Sequence, residues 1–276
     1  MRICPRGARW WARLVAGTVG VIRFLGWSLV SIQAAEPPVP PWEIPVLVVR
    51  YFPVAGDRID LKATGDWGES LAATREKTER VTREVIQALE EGSRYHGYKD
   101  PAAVPSLRYR VVETLEFLEP LPVKPHQPGK VPMTDYRRIM ERVGIRKWVE
   151  ERGVREVWLW GYHGGKVELW ESNMASPFGD VSNSDRNPDD LPVLSRTYTV
   201  YHYNYPRGTS EAVEDHMHQI EALLNAIDGR DRTPPARWGE LLFWGRFVGS
   251  DASHKIVTPR CGWAHYPPNA EQDYDW

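Results

Sequence analysis

The chain has 276 residues, 42% of them hydrophobic and 26% charged, a composition that excludes disordered, collagen-like and multispan membrane classes. Lysine and arginine total 35 against 37 acidic residues, but five arginines and no acid fall in the first 35 positions. The remainder therefore carries 30 basic and 37 acidic side chains, a balance that argues against nucleic acid as a partner. Thirteen Trp and twelve Tyr stand beside only six Phe, an aromatic set with polar handles that suits interfaces and sugar contacts as well as ordinary cores.

The start of the chain has Arg2, Arg6, Arg9 and Arg13, then an apolar stretch over residues 14–32, then Gln33-Ala34-Ala35. A basic start, an apolar middle and small residues at the end predict a secretory signal cleaved near Ala35. The alternative is a retained membrane anchor, although Arg23 in the middle of the stretch would cost about 2–3 kcal/mol there. Both place the folded part outside the cytoplasm, and a membrane enters only if the segment is retained. A proline-rich linker over residues 36–43 follows, and residues 44–276 are long enough to bury a core as one domain. Only Cys4 and Cys261 occur, so no internal disulfide is expected after cleavage.

Along the domain, residues 44–52 (IPVLVVRYF) form an apolar, β-branched run that predicts a buried strand. Residues 69–95 carry Val81, Val85, Ile86 and Leu89 at helical spacing, and 107–117 alternate as a second strand. Five prolines mark 120–132 as a loop. Residues 135–152 predict one kinked or two short helices broken at Gly144. Residues 155–162 and 166–172 read as strands around a His163-Gly164-Gly165 turn, and 196–205 as a further strand. Ser210 is placed to cap a helix over 211–227 that Gly229 ends, and a last helix is expected over 238–248. The fold class is α/β, with α+β possible: a single domain with a mixed sheet and flanking helices.

The helix over 211–227 holds the sharpest constellation. At about 100° per residue, Val213, Met217, Ile220, Leu224 and Ile227 form a stripe expected to face the core. Beside it lie Glu211, Glu214, His218 and Glu221 on one face. Glu214 with His218 (i, i+4) and His218 with Glu221 (i, i+3) are spacings at which two side chains reach one divalent ion, so zinc or another divalent metal is the expected cofactor. A plain solvated face fits the same letters. His216 points elsewhere and reads as structural or surface.

A sheet followed by a helix reading Glu214-Asp215-His216-Met217-His218 resembles the zincin metallopeptidase layout, in which a His-Glu-x-x-His helix follows the sheet. Glu214 stands at the place of the first ligand His, Asp215 at that of the general-base Glu, and His218 at the second ligand His. The resemblance implies a zincin-like fold, a metal held by Glu214 and His218, and Asp215 near the attacking water. Three blocks also resemble a family of secreted bacterial proteins that implies no activity: residues 162–174, Asn204-Tyr205-Pro206-Arg207-Gly208 leading into Glu211, His218 and Glu221, and His265-Tyr266-Pro267-Pro268-Asn269 leading to Asp273-Tyr274-Asp275.

Other groups bear chemistry. His163 would sit at a strand end among glycines, where a ligand can approach closely. Glu171 beside Trp170 is the arrangement that raises a general acid's pKa, and with Glu221 or Asp180 opposite it would suit glycoside hydrolysis. Residues 180–190 alternate Asn and Asp but lack the glycine and final Glu of a calcium loop. Cys261 and His265, four apart, could add a metal ligand or a nucleophile–base pair. No glycine-rich phosphate loop is present, and Gly65-Asp66-Trp67-Gly68 lacks the Lys one needs, which disfavours nucleotides. The expectation is a secreted, metal-dependent hydrolase-like protein acting on an extracellular polymer, peptide or polysaccharide, with Asp215, Glu171, His163 and Glu211 as catalytic candidates and Glu214, His218 and Glu221 as ligands. The alternatives are a metal-independent glycoside hydrolase or sugar esterase using Glu171, and a non-catalytic secreted binding protein.

Overall fold

The computed structural model describes residues 40–94, 99–184, 189–249 and 264–265. The expected signal segment, the first half of the proline-rich linker, Cys261 and part of the 180–190 loop lie outside the described residues.

In chain order the elements are β1 (Trp42–Tyr51), a tight hairpin of β2 (Val54–Ala55) and β3 (Arg58–Ile59), the one-turn α1 (Leu61–Thr64), α2 (Leu71–Gly92) and β4 (Leu107–Phe117). The short strands β5 (Val123–Lys124) and β6 (Met133–Thr134) pair within the proline-rich loop, then come α3 (Tyr136–Val143), α4 (Ile145–Glu150), β7 (Glu156–Gly161), β8 (Ser172–Ala175), β9 (Tyr198–Asn204) and α5 (Thr209–Asp228). Five strands build the main sheet in the order β4-β1-β7-β9-β8, and only β8 runs antiparallel to its neighbour. This is the mixed sheet with flanking helices that the apolar runs imply. Val46–Val49 of β1 and all of β7 are buried, as strands covered on both faces must be. Among the described residues no helix is long and apolar enough to cross a membrane.

Helices α2 and α5 lie over one face. The buried side of α2 includes Val81 and Val85 but also Thr74, Thr78 and Thr82, and the indole N–H groups of Trp67 and Trp160 satisfy two of these hydroxyls at 2.9 and 3.1 Å. Ser70 caps the helix by accepting the Ala73 N–H at 3.1 Å. The opposite face receives α3, whose Tyr136 hydroxyl reaches His202 of β9. Gly144, with φ +65°, breaks α3 from α4, the expected kink.

Four expectations are corrected. Residues 155–162 and 166–172 do not form a hairpin: β7 lies between the parallel β1 and β9, and the next strand begins only at Ser172 and pairs with β9. Residues 162–171 are needed to carry the chain across the end of β9 to the sheet's outer edge. Within that crossing, Gly164 (φ +46°) docks on the end of α1 so closely that a Cβ there would collide with the Thr64 carbonyl. Second, the cap of α5 is Gly208, whose N–H donates to the Glu211 carboxylate at 3.0 Å, while Ser210 lies inside the first turn. Third, residues 238–248 form a 3-10 turn (Pro235–Glu240) and a wide turn (Leu242–Val248) with i→i+5 bonds such as Arg246 N–H to the Leu241 carbonyl.

The fourth correction concerns the buried side of α5. Of its apolar stripe Val213 packs against the core, but Met217, Ile220 and Ile227 are 37, 44 and 80% exposed, while Ala212, Asp215, His216, Gln219 and Glu221 are buried. Specific partners outweigh hydropathy here. Gln219 accepts from the Ser172 hydroxyl at 2.7 Å and donates to the Val181 carbonyl at 2.6 Å. The His216 ring stacks on Tyr201 with centroids 3.7 Å apart and meets the Tyr203 hydroxyl at 2.7 Å, so its expected structural role holds. A polar side chain whose hydrogen bonds are all met can be buried at little cost.

Candidate metal centre and adjoining cleft

Helix α5 follows β9 directly and sets its first three turns beside the carboxyl ends of the parallel strands, where ligands of open α/β sheets gather. One turn apart on its outer side stand Glu214 and His218, half-buried, and the segment at Ala264 and His265 lies against them. His265 Nε2 is 2.9 Å from Glu214 Oε1, His218 Nε2 is 3.5 Å from the same oxygen, and the two imidazole rings meet edge to face at 4.6 Å. One donor atom from each of Glu214, His218 and His265 lies within 4.8 Å of the others, so the group could hold a metal ion. A carboxylate with two imidazoles is a donor set that zinc accepts.

Glu221 takes a different place. Its Oε2 lies 3.1 Å from His218 Nδ1, the nitrogen turned away from the group, and its Oε1 accepts the Ala264 N–H at 2.6 Å. A carboxylate only accepts, so Nδ1 carries a proton and Nε2 is the atom presented to Glu214 and His265. The same bond raises the His218 pKa above its usual value against the opposing effect of burial. Glu221 thus orients one imidazole of the group and pins the segment that brings the other.

Beside this group, a cleft of about 330 Å³ opens over the ends of β7 and β9, and Glu171, Asp215, Glu211, His163, Arg207 and His202 are among its lining residues. The Asp215 carboxyl is pushed well above the usual carboxylate range by burial first and by the Glu171 charge second. Both effects favour its protonated form. Glu171 precedes β8 and accepts from the Asn183 side chain at 2.6 Å. His163 Nδ1 donates to the Val167 carbonyl at 2.6 Å, which leaves Nε2 as the nitrogen able to accept. Burial works against ionising Glu211, yet bonds from the Ser210 hydroxyl and the Gly208 N–H bring its pKa below the usual value. Glu211 thus closes the helix start as well as lining the cleft.

All seven residues singled out in the sequence lie on these two adjoining features. Glu214 and His218 belong to the metal-competent group and Glu221 supports it, while Asp215, Glu171, His163 and Glu211 line the cleft. His265, noted in the sequence as a possible further ligand, completes the group. The sequence reading missed His202 and Arg207. The signal for His202 was the alternation in Tyr201-His202-Tyr203-Asn204, which sets His202 and Asn204 on one face of β9. No family model and no curated protein matches the chain.

Proposed function

We propose that this protein is an exported hydrolase that depends on a divalent metal, zinc by the chemistry of its donors, held by Glu214, His218 and His265. The observation that carries the reading is the convergence of one carboxylate and two imidazoles, drawn from α5 and a segment 47 residues beyond His218. The order in which the ligand helix follows the sheet supports the zincin resemblance. A bound ion would supply a water of lowered pKa and polarise a carbonyl. Asp215, buried on the cleft wall with its pKa raised, would give a proton to a leaving group, and His163 Nε2 would receive one. Glu171, held by Asn183, keeps a negative wall opposite. The substrate is an extracellular polymer, peptide or polysaccharide.

The test is elemental analysis of the purified full chain beside the Glu214→Ala/His218→Ala and His265→Ala variants, each after zinc reconstitution. Stoichiometric metal in the parent and its loss in both variants is expected. A parent that retains no metal overturns the reading. A second reading, a metal-independent glycoside hydrolase or sugar esterase, draws on the two carboxyls Asp215 and Glu171 in one cleft, the first with its pKa raised by burial. Hydrolysis that survives chelation would favour it.

A further inference from the structure

At the floor of the cleft, two buried polar atoms on β9 have no hydrogen-bond partner: His202 Nε2 and Asn204 Oδ1. Both residues line the cleft, and they stand two positions apart on one strand face, roughly 7 Å from one to the next. His202 is 1% exposed. Its other nitrogen, Nδ1, lies 2.9 Å from the Tyr136 hydroxyl, which already accepts the Trp170 N–H at 2.7 Å. The hydroxyl's own proton goes to Nδ1, because the competing Trp170 carbonyl is farther, at 3.3 Å. Nε2 then bears the ring proton and is a donor without an acceptor. Burial keeps the ring neutral by pushing its pKa down to about 3. Gly161 on β7 keeps the space beside this buried nitrogen free of a side chain, since a Cβ there would lie 2.5 Å from Nε2.

We propose that this cleft is a binding subsite for a hydroxyl-rich ligand, a sugar ring, read at its floor by His202 Nε2 and Asn204 Oδ1. A hydroxyl both donates and accepts and turns to suit its neighbour, so hydroxyls spread around one ring answer an orphan donor and an orphan acceptor side by side. The carboxylates of Glu168 and Glu171 on the walls accept only, and a polyol has donors to spare for them. A peptide unit fits less well, because its N–H and C=O are fixed on opposite sides of a rigid plane and each serves one role. Arg207, which has no ion pair among the described residues, stands at the rim and adds donors there. The subsite is independent of the metal and of any catalysis.

The test uses the full chain stripped of metal at neutral pH, titrated calorimetrically and by saturation-transfer NMR. The probes are glucose, N-acetylglucosamine and their β-1,4-linked oligomers, with trialanine as the peptide control. Saturable binding of a sugar probe is expected, weakened about tenfold or more by Asn204→Leu, whose folding is checked by its melting curve. If Asn204→Leu does not fold, Glu168→Gln on the wall carries the same comparison. Saturation by trialanine alone, no saturation by any sugar (a cleft filled by water only), or sugar binding indifferent to the folded variant each overturns the proposal. Because metal is absent throughout, failure here leaves the metal reading standing, and loss of the metal reading leaves this one untouched.

Discussion

Replacing His216 by alanine should damage the fold far more than replacing Ile220, although hydropathy alone says the reverse. His216 is fully enclosed: it stacks on Tyr201, meets Trp158 and Tyr109 edge-on at 5.4 and 6.4 Å, and shares a hydrogen bond with the Tyr203 hydroxyl. Truncation opens a ring-sized cavity in the layer between α5 and the sheet, a change that costs roughly 3–5 kcal/mol for large buried rings. Part of that cost is the Tyr203 hydroxyl left buried without a partner, about 1–3 kcal/mol. His216→Phe keeps the ring volume and isolates this second part. Ile220 is half-exposed, and its truncation should cost under about 1 kcal/mol. Urea unfolding at pH 7, followed by far-ultraviolet circular dichroism, measures all three variants. If Ile220→Ala proved more costly than His216→Ala, α5 would pack by its apolar stripe and the account of the site would fall with it.

Three further outcomes are expected. Gly164→Ala should lower stability by several kcal/mol, because φ +46° and the Thr64 carbonyl both oppose a Cβ, and should displace His163; unchanged melting would contradict the docking of this turn on α1. Glu221→Gln should lower the His218 pKa, read by NMR titration, and weaken metal binding about 10–100-fold; retention of both would show that Glu221 does not orient the imidazole. Stability should fall steeply in acid. His202 and His216, pushed by burial to about 3 from 6.5, stabilise fully above 6.5 and lose that contribution as pH falls toward 3. Glu156, raised by burial from 4.5 to about 7, works oppositely: its contribution is complete below 4.5 and is lost as pH rises through 7. The two effects oppose each other between 4.5 and 6.5; below 4.5 Glu156 no longer opposes, and the two histidines, which take up two protons on unfolding, contribute about 3 kcal/mol per pH unit. Urea midpoints between pH 7 and 3.5 that showed no steepening below 4.5 would contradict the buried neutral histidines.

Four of the five strands of the main sheet and most helices were legible because their signals are local. The run at 44–52, the alternation at 107–117 and the Gly144 break each express backbone geometry that neighbouring residues determine, and β1, β4, α3 and α4 appear where those patterns stand. The misreadings share another cause. The hairpin expected around His163 rests on adjacency in sequence, yet β7 finds parallel partners 110 and 43 positions away, Val46 with Glu156 and Glu156 with Thr199. The buried side of α5 was misjudged because periodicity locates a stripe without saying what lies opposite. The surface opposite is Tyr201, Tyr203 and Ser172, which accommodates histidine and glutamine better than isoleucine. His265 joins Glu214 across 51 residues, a juxtaposition that spacing in sequence does not encode.

The inverted helix and the site are one fact. A helix that buried Met217, Ile220 and Ile227 in the core would turn Asp215 away from the ends of β7 and β9 and out of the cleft it now lines. Rotated as it is, α5 sets Asp215 on the cleft wall and Glu214 and His218 one side further round, facing His265. The arrangement loses the burial of three apolar side chains, each worth about 1.5–3 kcal/mol when fully enclosed. The bonds of Gln219, His216 and Glu221 offset that loss by leaving their polar atoms satisfied. Asp215 is the exception, a buried carboxyl beside the negative Glu171. A fold indifferent to chemistry would place an apolar residue at that position, so relieving it with Asp215→Asn should raise the melting temperature while abolishing whatever proton transfer the cleft performs. An Asn variant both less stable and equally active would show that the carboxyl serves the structure rather than the reaction.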